Sequence, residues 1–208
     1  MDRPKPSFEF SGGNLCLDFA NTSRHKPGVP PRENLITYSD LLAWGEQASV
    51  LTKADARQIR RGATVRPEEA GAGLARARAL RDAIYAIFSA VASGRKPAAA
   101  ELASLNHAAA EAWTHFQIVP RDEGFVWEAA PPRDETDFDL VLWPVARSAA
   151  ELLTSDDVRT VRECAMGTCS WLFLDRSRNQ KRRWCDMKVC GNRSKARRHY
   201  QKRRMQAG

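Results

Sequence analysis

Apolar residues recur at helical spacing along most of the chain and alternate in only a few short runs. Residues 1–11 read as an extended lead-in, with Phe8 and Phe10 alternating against Glu9. Gly12-Gly13-Asn14 reads as a turn or cap. Leu15 to Asn21 follows as a short apolar helix, broken by a loop with Pro27, Pro30 and Pro31. A second helix is expected from near Asn34, because Leu35, Tyr38, Leu41 and Leu42 keep the spacing of one helix face. Thr52-Lys53-Ala54-Asp55 resembles a capping box that opens a helix to about Arg61. Pro67-Glu68-Glu69 is a helix start, with proline in the first turn and acids at the positive end of the dipole. Leu74, Ala77, Leu80, Ile84, Ile87, Phe88 and Val91 form its buried stripe, and Gly94 its stop. Pro97 opens the next helix, with Leu102, Leu105, Ala109, Trp113 and Phe116 toward the core.

Phe116 to Pro120 and Phe125 to Ala129 are β-prone, and Asp122-Glu123-Gly124 between them predicts a hairpin, ended by Pro131-Pro132. Phe138 to Leu153 reads as a helix, with Pro144 as a kink or restart and Val145, Ala149 and Leu152 facing the core.

Composition narrows the class. The chain has 208 residues, 43% hydrophobic and 28% charged, which excludes global disorder and collagen-like repeats. No window approaches the roughly 18 apolar residues of a membrane span. Met1-Asp2-Arg3-Pro4-Lys5-Pro6 lacks the apolar stretch of a signal peptide, so a cytoplasmic protein is expected. Charge is divided unevenly. Residues 1–155 carry 18 Lys+Arg and 20 Asp+Glu, whereas residues 156–208 carry 15 and 5. A near-neutral body with a basic C-terminal quarter points to an anionic partner.

The cysteines sharpen this. Cys164, Cys169, Cys185 and Cys190 have the spacing C-x4-C-x15-C-x4-C, all within the basic quarter. Two short-spaced pairs are a zinc signature. Four thiolates close the tetrahedron, leaving no position for a catalytic water, so the metal is structural. His199 is an alternative ligand that four cysteines make unnecessary. Cys16, among Leu15, Leu17 and Phe19, reads as a small core residue. Gly167 and Gly191 are expected to let the backbone turn toward the metal, and Asn192 to cap a helix running to about Arg204. Trp171 to Leu174 reads as a strand, and Trp184 as the start of its return.

Two basic elements flank the cysteines. Arg176, Arg178, Lys181, Arg182 and Arg183 form a basic turn. Arg193, Lys195, Arg197, Arg198, Lys202 and Arg203 lie on the terminal helix. Like charges such as Arg193 and Arg197 weaken an isolated helix, and phosphate counter-charge removes that penalty. These residues are the candidate nucleic-acid contacts. The bland alternative is a solvated basic surface.

At Cys190-Gly191-Asn192-Arg193 the pattern becomes a known signature. Cys164 to Arg204 resembles the CGNR zinc finger, through Trp171-Leu172-Phe173-Leu174-Asp175, Arg182-Arg183-Trp184-Cys185 and Lys195-Ala196-Arg197-Arg198. The N-terminal part resembles the ABATE domain, through Gly13-Asn14-Leu15-Cys16-Leu17-Asp18-Phe19-Ala20-Asn21-Thr22 and Tyr38-Ser39-Asp40-Leu41-Leu42-Ala43-Trp44. That family is regarded as stress-induced transcriptional regulators of bacteria. The resemblance implies one structural Zn2+ on the four cysteines and DNA on the finger.

The expected fold is therefore α+β. A mainly helical domain with a small β-hairpin (1–155) serves as sensor or dimerisation unit, and a small treble-clef-like zinc module (156–208) follows. Asp18, Asn21, Thr22 and Arg24, with Arg147 from another helix, are candidates to line a small-molecule effector pocket. Alternatively, Asp18 and Asn21 cap helices and satisfy backbone groups. The expected function is a zinc-dependent DNA-binding transcription regulator, with a homodimer and an effector as further partners. An RNA-binding or protein-interaction finger is the alternative. The chain contains none of the common nucleotide-binding or hydrolase motifs, so no enzyme is expected.

Overall fold

The computed structural model describes residues 6–24, 28–30, 32–130 and 137–206. Pro27, Pro31, Pro131 and Pro132 lie outside the described residues.

Helix α1 (Leu15–Ala20) starts where Asn14 accepts a hydrogen bond from the Cys16 amide at 3.1 Å, after Gly13 turns the chain at φ 75°. A two-residue ladder, β1 (Ser23–Arg24) with β2 (Arg32–Glu33), comes next. Helix α2 (Tyr38–Gln47) begins four residues later than the periodicity suggests. The reason is local. Glu33 pairs with the buried Arg81 at 2.7 Å, and Arg78 donates to the Leu35 carbonyl at 2.6 Å. This holds residues 33–35 extended until Asp40 caps the helix by accepting from Thr37 at 2.7 Å. Helix α3 (Lys53–Val65) opens with the expected Thr52–Asp55 capping box.

Helix α4 (Pro67–Ala92) is the axis of the body. Leu74, Ala77, Leu80, Ile84, Ile87 and Phe88 are buried along one face, Val91 is half-buried, and Gly94 turns the chain at φ 70°. Helices α5 (Ala99–Trp113) and α6 (Leu142–Thr154) pack together beside it. Pro144 sits in the first turn of α6, where its missing N–H removes no helical bond. It therefore neither kinks the helix nor restarts it, and residues 138–141 enter as buried turns. Between α5 and α6 the predicted hairpin forms, β3 (Phe116–Arg121) with β4 (Gly124–Ala129). Trp113, expected in the core, is 40% exposed at the foot of that hairpin.

A 3-10 turn (Asp156–Thr160) leads to β5 (Val161–Glu163), which pairs antiparallel with β6 (Leu172–Leu174). The strand predicted at 171–174 is thus present, but its partner lies upstream of it. Trp184 is in no strand. The chain ends in a π turn (Met187–Gly191) that runs directly into α7 (Asn192–Gln206). Asn192 is already helical at φ −66°, ψ −42°, so it is not a cap. Asp186 fills that role, accepting from the Val189 amide at 2.7 Å.

Strand β6 has two different faces, as strand alternation requires. Leu172 and Leu174 belong to the core of the helical body, whereas Phe173 packs with the cysteines. Its outer edge is held by the body as well. The Asn21 side chain donates to the Leu172 carbonyl at 2.9 Å and accepts from its amide at 2.8 Å, as a neighbouring strand would. The Gly12 carbonyl accepts from the Leu174 amide at 2.8 Å. Glycine is required there, because a Cβ would lie 2.9 Å from the Asp18 carboxylate.

Candidate metal centre and nucleic-acid interface

Cys164 directly follows β5, and its amide bonds to the Trp171 carbonyl at 2.9 Å. Cys169 closes the same loop through the Met166 carbonyl at 3.0 Å. The second pair comes from the segment around the π turn. It is tied to the first by a 2.8 Å bond from the Ala165 amide to the Arg183 carbonyl. All four Sγ atoms lie within 4.8 Å of one another. Sulfurs 2.3 Å from a tetrahedral zinc are separated by about 3.8 Å. Cys169–Cys185 is 3.8 Å and Cys185–Cys190 is 3.7 Å. The four cysteines are positioned to bind one metal ion.

The chemistry of the donors agrees. Hydrogen bonds from Cys169 and Cys185 pull the Cys164 thiol well below its usual range. Hydrogen bonding to Cys164 and Cys169 pushes Cys185 far up. Burial, with the charge on Cys164, raises Cys190. Without a cation one thiolate forms at the expense of its neighbours, and a divalent ion lets all four ionise. Neither Gly167 nor Gly191 has a positive φ. The turn toward the metal therefore does not need glycine's conformational freedom, contrary to expectation. Gly191 instead leaves room for the Met187 thioether, which would stand 2.5 Å from a Cβ. The side chain of His199 lies outside the described residues.

Asp175, not anticipated as functional, shapes the basic turn. It is fully buried and accepts from the Ser177 amide at 3.0 Å and the Arg182 amide at 2.8 Å. Burial opposes its ionisation, but these bonds and the Ser177 hydroxyl outweigh it and hold the carboxyl below its usual range. The sequence signalled it only through its place between the strand and the basic run and as the last residue of the Trp171–Asp175 motif.

The predicted nucleic-acid residues divide into groups. Arg182 is exposed but engaged with the finger. It donates to the Trp184 carbonyl at 2.8 Å and to the Cys185 carbonyl, and stacks 4.6 Å over Phe173. Arg183 lies 5.5 Å over Trp184 but is exposed, and Arg176 faces Asp157 at 3.7 Å. Arg178, Lys181, Arg193, Lys195, Arg197 and Arg203 are exposed. The side chains of Arg198 and Lys202 lie outside the described residues.

Of the candidate effector residues, Asp18, Asn21 and Thr22 line one small cavity of about 40 Å³, Asn21 and Arg24 line a neighbouring one, and Arg147 lies apart. Asp18 accepts from the Gly12 amide at 2.7 Å, and its burial raises its pKa to about 6. Asn21 holds β6, and Thr22 donates to the Phe19 carbonyl at 2.7 Å. Arg24 donates to the Thr168 carbonyl at 3.3 Å, beside the first cysteine pair. Arg147 is elsewhere. It pairs with Glu151 at 2.6 Å and lies over Trp113 and Phe116 at the hairpin. A cavity of about 160 Å³ between body and finger is lined by Asn21, Arg24, Arg32, Trp171 and Arg193, with no contribution from Arg147. Four thiolates on a divalent ion leave net negative charge, and the arginines beside it offset that charge.

Comparison with known families agrees with this geometry. The ABATE family model, described as "Putative stress-induced transcription regulator", matches residues 13–156. The CGNR zinc finger model matches residues 160–203. Neither is an enzyme family. No curated protein matches the chain. No helix among the described residues is long and apolar enough to cross a membrane.

Proposed function

The chain belongs to the ABATE family and carries a CGNR zinc finger, and from that premise we propose that it is a zinc-dependent DNA-binding transcription regulator of the bacterial cytoplasm, with no catalytic role. One observation carries the reading. Within residues 160–203, which the finger model matches, the acids are engaged in the fold: Glu163 with Ser89, Asp175 with the basic turn, and Asp186 with the π turn. The cations on the basic turn, and those of α7 whose side chains are described, are exposed instead. A metal-fixed frame that turns its acids inward and its arginines outward suits a phosphate backbone. The bound zinc supplies a cross-link. Arg178, Lys181, Arg193, Lys195, Arg197 and Arg203 supply the contacts.

The test is DNA selection with sequencing, using zinc-loaded protein beside a Cys185→Ser, Cys190→Ser double variant. Enrichment of one duplex motif by the wild type alone is expected. Six phosphate contacts give a log–log salt slope of roughly −5 on duplex DNA. No enrichment above salt-sensitive background would overturn specific duplex reading. Tyr200, 64% exposed among the cations of α7, favours base stacking on RNA as the second reading. Preference for single-stranded RNA, lost in Tyr200→Ala, would identify it.

A further inference from the structure

The β3–β4 hairpin has one face that is apolar at every position. Register pairs Phe116 with Ala129, Ile118 with Trp127 and Pro120 with Phe125, all on one side. Gln117, Val119, Arg121, Val126 and Glu128 project from the other, where Arg121 and Glu128 form an ion pair. The apolar face meets the body only at its base. Trp127 stacks edge-on to Trp113 at 5.2 Å, with the Arg147 guanidinium beneath. Farther out, Ile118 is 59% and Phe125 is 78% exposed.

A two-stranded hairpin is marginal by itself, and an apolar patch of this kind on a monomer marks an interaction surface. We propose that a second copy of this chain covers it, the two hairpins packing apolar face to apolar face about a twofold axis.

Area and charge both fit that occupant. At about 200 Å² for a large side chain, the exposed parts of Trp113, Ile118, Phe125 and Trp127 leave roughly 450 Å² of apolar surface on each copy. Two copies reach roughly 900 Å² from these side chains alone, close to the about 1,000 Å² at which specific interfaces begin. Pro120 and the flanking main chain add to this. No charged residue occupies any of the six positions of the face, so a twofold stack sets no like charges against each other. The body is near-neutral through residue 155, and the basic charge is concentrated in the finger. The proposal does not depend on what the finger binds.

The test is sedimentation equilibrium of the full-length zinc-loaded protein at micromolar concentration. Wild type is expected to be a dimer. Phe125→Glu and Ile118→Lys each place two charges in the twofold interface and are expected to weaken it by about a hundredfold or more. Gln117→Lys, on the opposite face, is expected to remain a dimer. Circular dichroism and zinc content confirm that each variant is folded. Two outcomes overturn the proposal: a monomeric wild type, or dimers that persist in whichever of the two apolar-face variants folds.

Discussion

Asn21 offers the most direct test of how finger and body are joined. Asn21→Leu keeps the branching of the side chain but removes both bonds to the Leu172 peptide, at 2.9 and 2.8 Å. Asn21 is 3% exposed and Leu172 is fully buried, so no solvent replaces the lost partner. A buried donor or acceptor left unsatisfied costs about 1–3 kcal/mol, and here one of each is left, giving about 3 kcal/mol in all. At an m-value of about 3 kcal/mol/M in urea, the midpoint falls by about 1 M. The assay is urea unfolding of zinc-saturated protein, with Thr22→Val as neighbour control. The Thr22 hydroxyl donates to the Phe19 carbonyl three residues back, a local bond, so its loss is expected to cost well under half as much. The measurement is then repeated in a Cys185→Ser background, where β6 is no longer held. Asn21→Leu should cost little there. A cost below about 1 kcal/mol in the zinc-loaded protein, or an equal cost in both backgrounds, would refute the clamp.

Three further outcomes are expected. Cys185→Ser abolishes stoichiometric zinc and exposes Leu172 and Leu174, so helical unfolding shifts to lower urea; an unchanged body transition by circular dichroism would contradict the shared core. Asp18 is held at a pKa of about 6, above its unfolded value of 3.8, so it favours the folded state while protonated and that stability is lost as pH rises. Asp18→Asn should therefore gain about 1 kcal/mol on wild type between about pH 5 and about pH 7, read by urea midpoints with zinc in excess. Asp175→Asn should leave zinc content intact while loosening residues 176–183, seen as faster amide exchange at Ser177 and Arg182 and weaker duplex binding.

Much of the framework was legible because it is local. The Thr52 cap, the Pro67 start, the Gly94 stop and the cysteine spacing each need only neighbours in the chain. The misreadings share one cause, since periodicity reports which residues are buried but not what they meet. Asn21 does cap the C-terminus of α1, but its side-chain partner is 151 positions away, which no local pattern reports. Arg182 looked like its basic neighbours and is exposed like them, but its guanidinium is also held by the carbonyls of Trp184 and Cys185. Leu35 continues an apolar face, yet Arg78 and Arg81 hold that segment extended. The strand partner of β6 was missed because β5 is three residues long and carries only one buried side chain.

The shared strand also bears on the order of events during synthesis. Helix α1 leaves the ribosome early, yet the core it helps to form is incomplete until residues 172–174 have followed. Cys185 and Cys190 emerge after that strand, so metal capture cannot precede it. Until then the nascent body displays an unfilled apolar groove beside Leu17 and Phe19. A ribosome stalled between residues 155 and 185 would therefore leave a chaperone substrate, and zinc supply would decide how quickly a finished chain ceases to be one.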